Sequence, residues 1–272
     1  MRTLFPLLMA HRMSRYFLEL AFNGTAYRGW QVQPDAPSVQ GEIERAMRQL
    51  FHAHKVNVVG CGRTDTGVHA SLYYAHFDAP EGREVDQRMV HSLNSMLPRD
   101  IAIHRAIPVA GDAHARFSAT ERGYIYRIHI EKDPFLVDRS HPLRPPLDVA
   151  AMNQACEALL QARDFTSFSR TGSDNRTMIC DVRQAYWQQV RNGYLFRIHA
   201  DRFLRNMVRA IVGTCLRIGK GDRPPTHMSE VLAAMDRHAA GRSAPACGLY
   251  LAHVRYPFIP LMSEPLNTGL SI

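Results

Sequence analysis

The sequence is short of paired cysteines, of long apolar runs and of lysine, and each shortage removes a class of explanation. Cys61, Cys156, Cys180, Cys215 and Cys247 lie far apart, with no C-x-x-C pair and no Cys/His cluster at zinc-finger spacing. Neither a disulfide framework nor a structural zinc module is expected, and a reducing, cytoplasmic setting is the simplest one. No apolar run is long enough to cross a bilayer, so no membrane partner is expected. The apolar patch at 4–10 is interrupted by Pro6 and followed by no small-residue cleavage site. Residues 1–13 are therefore expected to be a frayed N-terminal extension, with Met13 an equally good start. Both glycine-rich phosphate signatures, G-x-x-x-x-G-K-S/T and G-x-G-x-x-G, are missing, which leaves nucleotide-driven chemistry without support.

What is present suits a nucleic-acid partner. The 33 Lys+Arg outweigh 25 Asp+Glu for a formal charge of +8, and arginine greatly outnumbers lysine. Guanidinium groups favour planar, bidentate contacts to phosphate. They are spread over all 272 residues without a dense run, so no disordered basic tail is implied. The length and apolar content fit one large or two moderate domains.

Periodicity gives the order of elements. Residues 16–22 alternate as a strand; 23–37 are rich in Gly, Pro and polar groups; Ser38 is a plausible N-cap for a helix to about 53, with Val39, Ile43, Met47, Leu50 and Phe51 as its apolar stripe. A strand at 55–59, a loop at 60–70, a strand at 72–77, a helix at 86–97 and an alternating strand through Ile101, Ile103 and Ile107 follow. The second half repeats this order with a strand at 124–130, a helix at 149–161, a hairpin of 182–190 and 194–200 across Arg191-Asn192-Gly193, and a helix at 203–216. An inserted helix at 228–237 precedes a closing strand at 249–256. The reading is an α+β fold of two ferredoxin-like βαββαβ units, residues 14–112 and 113–272. They would form a continuous antiparallel sheet with helices on one face, leaving the other face and a central cleft to RNA.

The loop at 60–70 concentrates chemistry. Gly60, Gly62 and Gly67 permit positive φ and close backbone approach, while Arg63, Asp65 and His69 put three different polar groups within seven residues. Asp65 follows an apolar strand on a loop that can present it into a cleft. The bland alternative is a solvated turn with an Arg–Asp contact. A carboxylate in a cleft needs a cationic partner, and Arg209, on an otherwise apolar helix, is either that partner or a snorkelling surface residue beside Arg202, Arg205 and Arg217; periodicity leaves the two even. A glycosidase pair would need a second carboxylate such as Asp181 or Glu121. The segment 114–120, running on to Arg122 and Tyr124, interleaves basic and aromatic residues as RNA contacts do, with Tyr126 assigned to the core. A further polar loop, 165–176, is dense in hydrogen-bonding groups.

Together these segments resemble the TruA-type tRNA pseudouridine synthases. The matching residues are Gly62-Arg63-Thr64-Asp65-x-Gly67-Val68-His69, His114-Ala115-Arg116-Phe117-Ser118-Ala119-Thr120, Asp164-Phe165-Thr166-Ser167-Phe168, Met207-Val208-Arg209-x-Ile211-Val212-Gly213 and Gly248-Leu249-Tyr250-Leu251. They run in order from about 16 to 256. Thr66, where many members have Ala, and Asp201-Arg202, where small residues are common, depart from the pattern. The resemblance implies isomerisation of uridine in the tRNA anticodon stem-loop, around positions 38 to 40, by a homodimer that binds tRNA across both subunits without metal or organic cofactor. It implies Asp65 as nucleophile, Arg63 as the residue that intrudes into the base stack, Tyr124 stacking on the flipped uracil and Arg209 as the partner of Asp65. Phosphate and base contacts would fall to His114, Arg116, Phe117 and the loop with Gly172, Asn175 and Arg176. His69 is assigned to holding the loop.

Overall fold

In the computed structural model, which describes residues 15–83, 85–144, 146–172 and 176–260, β1 (Arg15–Phe22) opens a nine-stranded sheet. The chain then runs through α1 (Val39–Phe51), β2 (Val59–Gly60), β3 (His69–Asp78), α2 (Gln87–Met96) and β4 (Ile101–Val109). The second half follows as β5 (Glu121–His129), β6 (His141–Pro142), α3 (Val149–Gln161), β7 (Val182–Val190), β8 (Gly193–Ala200), α4 (Met207–Gly219), α5 (His227–Ala234) and β9 (Leu249–Arg255). The N-terminal extension lies outside the described residues.

Local chemistry sets the starts of the helices. Ser38 Oγ accepts from Gly41 N–H, Asp86 from Met89 N–H and Asp148 from Ala151 N–H, each relieving an amide that the first helical turn leaves unpaired. α4 starts differently: Asn206 adopts a left-handed conformation, φ 67°, and gives no side-chain cap. The helix therefore begins at Met207 and not at 203 as periodicity suggests. The chain leaving β8 is held by Asp201, whose carboxylate accepts from the amides of Arg202 and Asp181.

The strand order is β4-β1-β3-β9-β5-β8-β7, with β2 beside β3 and β6 beside β5. Every neighbouring pair on that path is antiparallel except β3–β9, which is parallel and registers only His69 with Tyr250 and Ala70 with Leu251. The expected all-antiparallel sheet is thus mixed at its centre. Parallel pairing arises there because the last strand arrives by a crossover from α4 and α5 and not by a hairpin. At its other end β3 pairs with β2, Val59 to His76 and Gly60 to Ala75, so β9 and β2 share one edge of β3 and a wedge opens between them.

The expected strand at 55–59 is reduced to Val59–Gly60. Val58 is fully buried, but its amide and carbonyl are taken by α1: Glu44 Oε1 accepts its N–H and Gln40 Nε2 donates to its C=O. A backbone satisfied by a helix has no need of a ladder.

Two apolar cores lie under the helices. One gathers Leu18, Leu20, Ile43, Met47, Tyr73, Phe77 and Leu93. The other gathers Tyr126, Ile128, Met152, Leu159, Trp187, Phe196, Ile198, Ile211 and Val212. β9 feeds both, with Leu249 in the second and Leu251 and Val254 in the first.

Candidate active site at the join of the two half-sheets

The loop between β2 and β3 fills the wedge, and its backbone is pinned from several directions. Trp30 N–H donates to Thr64 C=O (3.3 Å), Gly67 N–H to Tyr27 C=O (3.3 Å), and the Tyr73 hydroxyl to Gly62 C=O. Arg122, on β5, donates twice to Cys61 C=O and once each to Asp201 C=O and Arg116 C=O. One guanidinium thereby ties the loop, the linker before β5 and the approach to α4.

The glycines of the loop divide their work. Only Gly67 takes positive φ, 76°. At Gly60 a Cβ would stand 2.2 Å from the Tyr73 hydroxyl and 2.6 Å from the Trp30 ring, so the requirement is close approach. Gly62 has open space around it and needs neither, contrary to expectation. Upstream, Gly29 combines φ +88° with a would-be Cβ 2.3 Å from Thr64 C=O, next to Asp65.

Asp65 is half-buried and faces two guanidinium groups, Arg209 Nη1 at 3.6 Å from Oδ2 and Arg205 Nε at 3.6 Å from Oδ1. These are ion-pair distances longer than a direct hydrogen bond. Arg209 is itself anchored, Nε donating to Ala244 C=O at 2.7 Å, and its side chain is 22% exposed against 56% for Arg205. Of the two readings left open for Arg209, the structure selects the partner of a carboxylate. Arg205 is the residue sequence reasoning missed. The sequence offers it only as one more arginine on the helix expected at 203–216, whereas the structure puts it just before α4. Tyr124 stands edge-on to Phe203 with ring centroids 5.1 Å apart; burial raises its phenol above the ordinary range, with the charge of Asp65 among the smaller causes.

His69 is buried and bridges three segments. Its Nδ1 accepts from Gly24 N–H at 3.1 Å and its Nε2 lies 3.1 Å from Cys247 C=O, which fixes a neutral ring with the proton on Nε2. Burial, ahead of any other cause, holds its pKa below the usual histidine value. The ring also stacks on Tyr250 at 4.6 Å. This geometry fits a clamp and leaves no free nitrogen for proton transfer.

Around Asp65 the surface is cationic. Burial lowers the Arg116 pKa, followed by the like charges of Arg63, Arg122 and Arg202, which places four guanidinium groups close together. Arg63 is exposed on the loop. Phe117 is 74% exposed, with the Arg116 guanidinium 5.5 Å above its ring and the His114 ring 4.4 Å away. His114 Nδ1 accepts from the amides of Arg116 and Phe117, so this segment shapes its own turn. Gly172 takes φ 72° and Arg176 is exposed; Asn175 lies outside the described residues. That loop is tied to the site by Arg170 N–H on Arg205 C=O and Arg202 Nη1 on Thr177 C=O. Beyond Arg209 opens a cavity of about 850 Å³ walled by Arg217, Lys220, Arg237 and Arg242, with no carboxylate among its described lining residues.

The two carboxylates considered for a glycosidase pair are engaged elsewhere. Asp181 pairs with Arg163 and Arg183, and Glu121 with Arg183, His199 and His253. Tyr126 is fully buried, its hydroxyl donating to Pro245 C=O, as expected of a core residue.

Comparison with known proteins identifies the family. The family model described as tRNA pseudouridine synthase matches residues 20–118 and 155–257. The tRNA pseudouridine synthase A of Parabacteroides distasonis is 46% identical over 245 residues, 90% of this chain and 97% of that protein. That of Porphyromonas gingivalis is 46% identical over 248 residues, covering 90% and 98%. The Halalkalibacterium halodurans protein of the same name is 39% identical over 240 residues, covering 87% and 90%. Motifs, loop geometry and relatives of nearly equal length converge: the chain belongs to the tRNA pseudouridine synthase family, whose members isomerise uridine to pseudouridine.

Proposed function

We propose that this chain converts uridine to pseudouridine in the anticodon stem-loop of tRNA, around positions 38, 39 and 40, with Asp65 as the nucleophile. The observation that carries this reading is the placement of Asp65, half-buried in the wedge between the half-sheets, facing Arg205 and Arg209 at 3.6 Å and close to Tyr124. The reaction breaks the C1′–N1 bond and forms C1′–C5; C5 loses its proton and N1 ends protonated, so no oxidant, reductant or leaving group is needed. A carboxylate that bonds transiently to the ring or to the ribose splits this rearrangement into easier steps.

A stacked uridine must be extruded first, at a cost of a few kcal/mol. Arg63, exposed on the loop beside Asp65, occupies the gap in the stack. Tyr124 receives the flipped base, and stacking of about 1–3 kcal/mol offsets much of the extrusion. His114, Arg116, Phe117, Gly172, Asn175 and Arg176 hold the RNA backbone and neighbouring bases. The strand orders β4-β1-β3-β2 and β9-β5-β8-β7 support the reading of two ferredoxin-like units, 14–112 and 113–272, with helices on one face. The working form is a cytoplasmic homodimer spanned by one tRNA.

The test is to incubate unmodified tRNA with the purified protein and map pseudouridine by site. Product confined to positions 38–40 is expected. Binding without new pseudouridine would reduce the chain to an RNA-binding module, and release of free uracil would make it a glycosidase; either result refutes the proposal.

A further inference from the structure

A second constellation, which includes neither Asp65 nor the arginines that face it, lies on β5, β8 and β9. Gly123 registers with His199 on one side and with His253 on the other, so the two histidines flank a position without a side chain. Glu121, two residues before Gly123, lies on the same strand face. This face is turned away from α3, because Phe196 and Ile198, which alternate with His199, sit in the core under that helix.

Glycine in a central strand weakens it and marks a place where something approaches closely. Here the imidazoles do: a Cβ on residue 123 would stand 2.7 Å from His199 Nε2. Both rings turn a nitrogen to one oxygen of Glu121. His199 Nδ1 is 3.3 Å and His253 Nε2 is 3.2 Å from Oε1. The other oxygen, Oε2, accepts from Arg183 Nη1 at 3.0 Å. His253 Nε2 is buried and, despite its nearness to Oε1, makes no hydrogen bond of acceptable geometry.

We infer that Glu121, His199 and His253 bind a divalent transition-metal ion of the zinc class, with the remaining coordination positions open to water. Two donors each about 2.0–2.1 Å from a zinc ion at the tetrahedral angle lie about 3.3 Å apart, which is the spacing seen from Oε1 to each histidine. All three donor atoms fall within 4.8 Å of one another, so a small closure of the two rings completes the set. Two imidazoles and one carboxylate are an established donor set for zinc, and three paired strands hold it more rigidly than loops would. Arg183 fits this role because a ligating carboxylate is commonly hydrogen-bonded on its second oxygen, which orients the first. The side chains are 17–27% exposed, which gives an ion an entry path.

The test uses the full-length protein, treated with chelator and dialysed, then titrated with Zn²⁺ against a chromophoric competitor. Saturable uptake of about one ion per chain is expected, and His199→Ala with His253→Ala should weaken it by more than the roughly 10–100-fold typical of losing an outer-shell partner. Replacing the exposed His91 by Ala should leave the affinity unchanged. No saturable uptake by the unaltered protein, or equal affinity in the double variant, overturns the proposal. Should the double variant not fold, the single changes His199→Gln and His253→Gln and the Co²⁺ spectrum of the unaltered protein decide. Strong visible absorption from a low-coordinate Co²⁺ that is lost in either single variant supports the site, and a weak octahedral spectrum refutes it.

Discussion

The connection from β2 to β3 and the connection from β7 to β8 occupy the same place in their half-sheets, and they could hardly be more different. β7 and β8 pair along nearly their whole length and turn through Arg191 and Asn192 into Gly193. β2 contributes two residues to its ladder, and the chain between it and β3 is the loop that carries Asp65. Where the ladder is long, register is fixed by the strands and the turn can be minimal. Where it is cut to two residues, the loop is free to project into the wedge but must be held by other means. Those means are Arg122, Tyr73, Trp30 and His69, drawn from both halves.

The largest effect that tests this division is chemical. Asp65→Asn keeps the shape of the loop and removes the carboxylate proposed as nucleophile, so pseudouridine formation should fall by at least about a thousandfold while tRNA affinity stays nearly intact. Parallel activity and filter-binding assays check it, and a normal rate sinks the role of Asp65. Next comes a matched pair of glycine changes. Gly29→Ala meets φ +88° and Thr64 C=O at 2.3 Å; Gly193→Ala meets φ +151° and Ile128 C=O at 1.9 Å. Each should cost roughly 2–4 kcal/mol in denaturant unfolding. Only Gly29→Ala, which pushes on the residue before Asp65, should also lower turnover per folded molecule. Equal turnover losses would show that the two connections are not functionally distinct.

Smaller effects should grade the partners of Asp65. Arg209→Ala should lower kcat/KM by about 10–100-fold, equivalent to about 1.4–2.7 kcal/mol. Arg205→Ala, whose side chain is more than half exposed, should cost less than about tenfold and lose even that at high salt. The reverse ranking would make Arg205 the main partner. The mildest effect is that of acid. His76 is held at about 4 by burial first, then by the like charges of Arg15 and His114, against an ordinary value near 6.5. Its neutral Nδ1 accepts from Ala115 N–H at 3.0 Å, as His69 accepts from Gly24. Between about pH 6.5 and 4 the unfolded chain binds a proton that the folded ring refuses, so stability falls as pH drops through that window and this group costs nothing more below it. Hydrogen exchange, corrected for intrinsic rates, should show the amides of Gly24 and Ala115 losing protection before those of β7 and β8. Simultaneous loss would refute this.

The hairpin and the capped helices were readable because their determinants are adjacent in sequence. Asn192-Gly193 specifies a turn, and Ser38 specifies the start of α1. The loop around Asp65 stood out by its glycines and its three polar groups, though the residues alone left a solvated turn open. What sequence could not show were features decided by partners far along the chain. Val58 reads as strand until Gln40 and Glu44 are known to take its backbone. The start of α4 is set by a left-handed Asn206, which no local pattern announces. Arg205 became visible as a partner of Asp65 only once that turn was placed. The trio Glu121, His199 and His253 is spread over three strands and exists only in the register of the sheet.

The parallel join of β3 to β9 also has a consequence in time. β9 is the last strand of the sheet, and the first core is incomplete without Leu251, Val254, Tyr256 and Ile259. Asp65 waits for Arg205 and Arg209, and His69 for the carbonyl of Cys247. The loop that carries Asp65 is therefore made early in the chain, while the groups that face and clamp it come late, between Arg205 and Cys247. In this architecture a long-range contact, of the kind that forms slowly, completes the surroundings of Asp65: the loop is enclosed when the end of the sheet comes back to its beginning.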